Sequence, residues 1–169
     1  MKNHQFGSFY VKTELTAHCR PRQNISCGAC CGIYDFKDNS RTNLDNILKK
    51  RTLVYNKLAN NLPNNPGKIT EIIQEIEEIL KKEEQDMEII DKDKTIVRPC
   101  VFLGYTDEEH IGCLLHPLQN SGLDLRYFGA YSQPQCATMV CDLDQKTAQE
   151  IAKNSKDWHD YGLAVLKFT

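Results

Sequence analysis

Apolar residues recur at helical spacing in two stretches of the chain. Leu44, Ile47, Leu48, Val54, Tyr55 and Leu58 mark the first, with Thr42 or Asn43 as the expected N-cap. Leu62-Pro63-Asn64-Asn65-Pro66-Gly67 then interrupts the pattern and predicts a turn. Ile69, Ile72, Ile73, Ile76, Leu80, Met87 and Ile90 form the second stripe, enough for about six helical turns. Two amphipathic helices joined by a short breaker predict an antiparallel helical hairpin within residues 41–93.

Elsewhere the pattern is shorter in range. Thr95-Ile96-Val97 has β-branched character, and Pro99–Gly104 and Ile111–Pro117 flank a polar turn over Tyr105–His110. These segments predict a short β-hairpin with a cysteine on each arm, Cys100 and Cys113. Asn120-Ser121-Gly122 marks another turn, and Asp144 is a candidate N-cap for a helix from about Gln145 to Lys156. The run Leu163–Phe168 fits either a terminal strand or a further helix. The expected architecture is α+β in a single domain, 1–169. Residues 1–40 and 94–169 form a small loop-rich core, and the helical hairpin 41–93 is inserted into it.

Composition adds limits. With 169 residues, 40% hydrophobic and 26% charged, the chain can bury a real core, so metal need not be the only thing holding it together. The net charge of −2 argues against a general nucleic-acid binder. Lys12, His18, Arg20 and Arg22 read as a solvated basic loop. Inside the hairpin, residues 41–57 carry five basic side chains against one acidic, and residues 68–93 carry ten acidic against four basic. Opposite charges favour pairing of the helices, at about 0–1 kcal/mol per exposed pair, so burial of the isoleucine stripe dominates. The acidic outer face reads as solvated, with a protein partner on the hairpin as the sharper alternative. Trp158 and the tyrosines read as packing residues, His4, His18 and His110 as exposed loop residues, and His159 and Asp160 receive no catalytic role.

The chemistry lies in eight cysteines: Cys19, Cys27, Cys30, Cys31, Cys100, Cys113, Cys136 and Cys141. The first residues lack the run of roughly 7–15 apolar positions of a signal peptide, and no stretch approaches the ~20 of a membrane span. A cytoplasmic location with no membrane partner is therefore expected, where thiols stay reduced and bind metal rather than pair as disulfides. In Cys27-Gly28-Ala29-Cys30 the small intervening residues let two sulfurs reach one metal at about 2.3 Å each. Neighbouring side chains on extended backbone point to opposite faces, so Cys30 and Cys31 suggest either two metals or one ligand beside a structural thiol. Cys113-Leu114-Leu115-His116 adds a C-x-x-H spacing that offers His116 as a ligand.

Four groups of residues carry a family resemblance: Cys27-Gly28-Ala29-Cys30-Cys31, Pro99-Cys100-Val101-Phe102-Leu103, Gly112-Cys113-Leu114-Leu115-His116-Pro117, and the pair Cys136 and Cys141. They resemble bacterial cysteine-cluster proteins described as zinc- or iron-chelating domains and named for a C-x-x-C-x-x-C-C motif. The resemblance covers roughly residues 19–37 and 98–142 and leaves the helices outside it. Asn24 stands where the motif has its first cysteine, so that ligand is absent or comes from Cys19. The resemblance implies metal chelation with no established reaction, and whether the chain is an enzyme stays open.

Zinc is the preferred metal, with iron or an iron–sulfur cluster as the alternative, since all-sulfur sites suit both. The ferredoxin run C-x-x-C-x-x-C-x-x-x-C-P is missing. Two other functions compete. A thiol–disulfide redox protein would use Cys27 and Cys30, but needs a strand before the motif and a helix after it, whereas Ala17–Asn24 is polar and proline-broken. A zinc-stabilised scaffold would instead bind a protein partner through its hairpin.

Overall fold

A computed structural model describes residues 20–21, 25–90, 99–128 and 143–168. Helix α1 spans Arg41–Ala59. Its cap is Ser40, ahead of the expected Thr42 or Asn43: the Ser40 hydroxyl accepts the Asn43 N–H, while the Asn43 amide reaches back to the Asp38 carbonyl. Helix α2 spans Pro66–Glu83 and is capped by Asn65, whose side chain accepts the Lys68 N–H. The breaker thus donates Pro66 and Gly67 to the first turn of α2, where a missing N–H is harmless.

Helix α2 is shorter than its apolar stripe. Beyond Glu83 the chain turns back, Lys37 N–H donates to the Glu88 carbonyl, Ile90 N–H donates to the Asp35 carbonyl, and Phe36 bridges Ile89. Met87 therefore lies in a turn and Ile90 in a backbone pairing, and neither extends the helix into a sixth turn.

Strands β1 (Leu103–Tyr105) and β2 (Ile111–Cys113) form a two-stranded antiparallel sheet in which Leu103 faces Cys113, Gly104 faces Gly112 and Tyr105 faces Ile111. Cys113 stands on its arm as expected, and Cys100 sits three residues before the other arm. Helix α3 spans Gln145–Asn154, with Asp144 accepting the Thr147 N–H. The terminal run joins helix α4, Trp158–Val165, capped by Asp157. The fold is mixed α+β. The expectations for Thr95–Val97, Cys19, Cys136 and Cys141 lie outside the described residues.

Three apolar clusters hold these elements together. In the first, Ile69, Ile73, Ile76 and Leu80 of α2 and Tyr55 of α1 pack on Val101, Phe102, Leu114 and Leu125. In the second, Leu44, Ile47 and Leu48 of α1 pack on Ile33, Tyr34, Phe36, Leu103, Ile111 and Trp158. The third joins Ile25 and Leu143 to Ala148, Ile151, Tyr161 and Val165. Each fully buried large apolar side chain contributes about 1.5–3 kcal/mol. The helical pair does not stand off from the cysteine-bearing segments; its apolar faces build two of the three clusters around them.

Candidate functional site

The first thiols are set by a tight local fold. Ala29–Cys31 is one 3-10 turn, closed by Gly32 at φ 71°, whose N–H donates to the Ala29 carbonyl. Only glycine adopts that left-handed geometry without strain, so Gly32 lets the chain turn at once into Ile33–Asp35. Cys30 and Cys31 thus lie on helical, not extended, backbone. Each thiol shifts the other's proton affinity, and the opposite-face argument for more than one metal loses its premise.

Cys31 and Cys100 are separated by 68 residues without a cysteine, yet the Cys100 N–H donates to the Cys31 carbonyl at 2.9 Å. The two helices return the chain to its starting point. Cys113 enters from the other side, at the end of β2 and opposite Leu103, and its carbonyl accepts the His116 N–H. Cys100 and Cys113 pack at the margin of the first apolar cluster, Cys31 at the second and Cys27 at the third. The sulfur-bearing segments therefore gather where the three clusters meet.

Their electrostatics are linked. A hydrogen bond from Cys31 draws the exposed Cys30 thiol down to about 7, against the opposing effect of burial. The same bond raises Cys31, followed by burial and then by the charges of Cys30, Cys100 and Cys113. Cys27 differs: its sulfur accepts the Ala29 N–H at 3.4 Å and its charge acts on Tyr34. All five described cysteines carry thiols, not disulfides. Among the described residues, no group of three or more His, Cys, Asp or Glu side chains is arranged to hold a metal ion.

His116 caps the 3-10 turn Pro117–Gln119, its Nδ1 accepting the Leu118 N–H at 3.2 Å. Burial and the nearby Arg126 guanidinium lower its proton affinity, so it is neutral with its proton on Nε2. His110, expected as an exposed loop residue, is buried. The Asp107 carboxylate receives the Glu109 and His110 N–H groups and faces the His110 ring at 2.7 Å, drawing the imidazole into the turn. Among the described residues no helix is long and apolar enough to cross a membrane.

Two residues beside the thiols were not foreseen. Arg51 is 0% exposed and Glu84 7%. Arg51 Nε and Nη2 donate to the two Glu84 carboxylate oxygens at 2.6 and 2.7 Å, and Nη1 donates to the Cys100 carbonyl at 2.9 Å and the Leu103 carbonyl at 3.5 Å. A sequence signal for them exists. Leu44, Leu48, Arg51 and Tyr55 share one helical register, and Glu84 follows Ile73, Ile76 and Leu80 at the same spacing.

Compared with protein-family models, with curated proteins and with solved structures, the chain matches none of them.

Proposed function

We propose that the chain is a metal-binding cysteine-cluster protein of the C-x-x-C-x-x-C-C kind, in which Cys30, Cys31, Cys100 and Cys113 form the nucleus of a thiolate site. Zinc is the proposed occupant, with iron or an iron–sulfur cluster as the alternative. The observation that carries the reading is the 2.9 Å hydrogen bond from Cys100 N–H to the Cys31 carbonyl, which joins two distant cysteine segments at main-chain level. It is supported by the field that Cys30, Cys100 and Cys113 exert on Cys31. Thiols that raise one another's proton affinity are relieved when a cation replaces their protons. Coordination requires the side chains to turn toward one another, a change of staggered rotamer. His116 remains a further candidate donor, its Nδ1 lone pair now taken up by the Leu118 N–H. Cys19, Cys27, Cys136 and Cys141 remain as further sulfur donors. The reading requires a compartment that keeps thiols reduced, as the cytoplasm does.

Metal analysis and the visible spectrum of anaerobically purified protein test this. We expect about one equivalent of zinc or more per chain and no colour, with one equivalent lost in Cys100→Ser and in Cys113→Ser. A brown protein containing iron and sulfide would reassign the occupant. A folded protein that takes up neither zinc nor iron refutes the reading.

A second reading is favoured by one observation, the exposed Cys30 thiol drawn down to about 7. Such a thiol is nucleophilic, as in thiol–disulfide proteins. That role would survive replacement of Cys100 and Cys113, whereas metal binding would not. Against it, Cys27 and Cys30 are not set between a strand and a long helix among the described residues: Ser26–Gly28 is irregular and the turn after it is three residues long.

A further inference from the structure

Arg51 and Glu84 form an ion pair sealed from solvent, and such a pair is seldom retained for stability alone. Desolvating both charges offsets much of their attraction, and apolar replacements of similar volume are often neutral or stabilising. What the pair does have is a third partner. Once Glu84 has taken Nε and Nη2 of the guanidinium, Nη1 is left pointing at the turn Cys100–Leu103, where it meets both the Cys100 and the Leu103 carbonyls. That turn is closed by Leu103 N–H donating to the Cys100 carbonyl at 3.4 Å. The peptide groups flanking Cys100 are thus held from two sides: its N–H by the Cys31 carbonyl and its C=O by Arg51. Glu84 ends the α2 segment and Arg51 lies mid-way along α1, so the pairing of the two helices is transmitted directly to the backbone beside a thiol.

We infer that the buried Arg51–Glu84 pair is a positioning device for the thiol site, fixing Cys100 against Cys31 before any metal arrives. The inference rests on the proposed metal-binding reading. Arg51 does not itself ligate; it acts through the Cys100 carbonyl, as outer-shell groups orient the ligands of metal sites. Lysine cannot substitute, because a single ammonium lacks the planar fork that serves Glu84 and the carbonyls together.

The double replacement Arg51→Met with Glu84→Leu separates this role from folding, because it removes both charges and keeps the volume apolar. Zinc affinity is measured by competition with a chromophoric chelator under anaerobic conditions, and the stability of the metal-free protein by urea unfolding. The expected result is unfolding within the range of the wild type and zinc affinity lowered by about 10–100-fold. Arg51→Lys should bind zinc equally poorly. Affinity within about twofold of the wild type in the folded double variant overturns the inference and leaves the metal-binding reading standing; a wild-type protein that binds no zinc or iron overturns both. A second measurement applies even if the double variant does not fold. Amide hydrogen exchange of the metal-free wild type should show the Cys100 N–H protected, and rapid exchange there would overturn the inference.

Discussion

Gly162 sits in α4 where the Tyr34 side chain crosses the helix. Tyr34 is 2% exposed, its hydroxyl donates to the Trp158 carbonyl at 3.0 Å, and a Cβ on residue 162 would overlap the hydroxyl and stand 2.5 Å from ring carbon Cε2. A buried aromatic ring cannot yield as a flexible chain end would. Gly162→Ala therefore forces Tyr34 out of its groove. Overpacking of this kind costs about 1–3 kcal/mol. The lost bond to Trp158 adds about 1 kcal/mol, and the better helix propensity of alanine returns about 1 kcal/mol. The net loss is about 1–3 kcal/mol, or a fall in Tm of about 2–12 °C for a chain of this size. Urea and thermal unfolding of the reduced protein, followed by far-ultraviolet circular dichroism, measure it. A cycle with Tyr34→Phe identifies the cause. Alone, that change should cost about 1 kcal/mol, whereas in the Gly162→Ala background it removes the worst overlap and should cost nothing or restore stability. A Gly162→Ala protein within about 0.5 kcal/mol of the wild type, or strictly additive costs, would refute the reasoning.

Three more outcomes follow from the geometry around the thiols. In metal-free protein, alkylation by iodoacetamide should label Cys30 first, its rate rising with pH through about 7 and Cys31 lagging, whereas simultaneous labelling of the two would contradict their hydrogen bond. Burial pushes the Asp107 carboxyl up, but the Glu109 N–H and His110 draw it down to a net value of about 2. A depressed carboxyl contributes stability above its unfolded value of about 4 and loses it as pH falls toward 2, so the urea midpoint should fall more steeply there for the wild type than for Asp107→Asn; parallel curves would exclude the effect. Asn120 donates to the Leu114 and His116 carbonyls at 2.8 and 2.9 Å and accepts the Tyr55 hydroxyl at 2.6 Å. Asn120→Ala should cost about 2–3 kcal/mol in urea unfolding, and Tyr55→Phe only about 1, because the amide side chain serves three partners and the hydroxyl one.

Legibility in the sequence followed the range of the signal. The two helices, the short β-hairpin and α3 each rest on local periodicity, caps or turn residues, and these act within a few positions. The apolar stripe runs past the end of α2 because Met87 packs on the second cluster and Ile90 belongs to a strand-like pairing with Asp35–Lys37, and both uses keep an apolar character. Ser40 took the cap because Asn43, chemically as able, was drawn to the Asp38 carbonyl. At the site, the cysteines announced themselves by type, but their backbone conformation did not. Nothing local says that Cys30 and Cys31 lie in a 3-10 turn, and the two-metal argument depended on the opposite assumption. His110 looked like a surface residue because titratable side chains usually are, and Arg51 counted only as one of the basic charges of residues 41–57. Their burial depends on partners three and 33 residues away, Asp107 and Glu84. For Arg51 and Glu84, a charged residue in an apolar helical register was the available signal, and the pair becomes visible only when the two helices are considered against each other.

The way the thiol segments are held bears on what a metal would do here. In a small zinc module the sulfur–metal bonds replace a core, and removal of the ion unfolds the chain. Here Cys31 and Cys100 are joined through their peptide groups, Cys113 is registered by the sheet, and Arg51 fixes the Cys100 carbonyl from the helices. Behind them lie apolar clusters that include Ile69, Ile73, Ile76, Phe102 and Trp158. The links from Cys31 to Cys100, from Cys113 to the sheet and from Arg51 to Cys100 all run through main-chain groups and not through the sulfurs. On the proposed reading, the binding free energy of the metal would therefore not be consumed in ordering the chain, and the ion could leave without taking the fold with it. That favours a protein that takes up and releases metal over one in which zinc only staples loops. It also explains how a mutually repelling set of thiols is tolerated in the metal-free state: hydrogen bonding and raised proton affinity keep Cys31 neutral while Cys30 faces solvent.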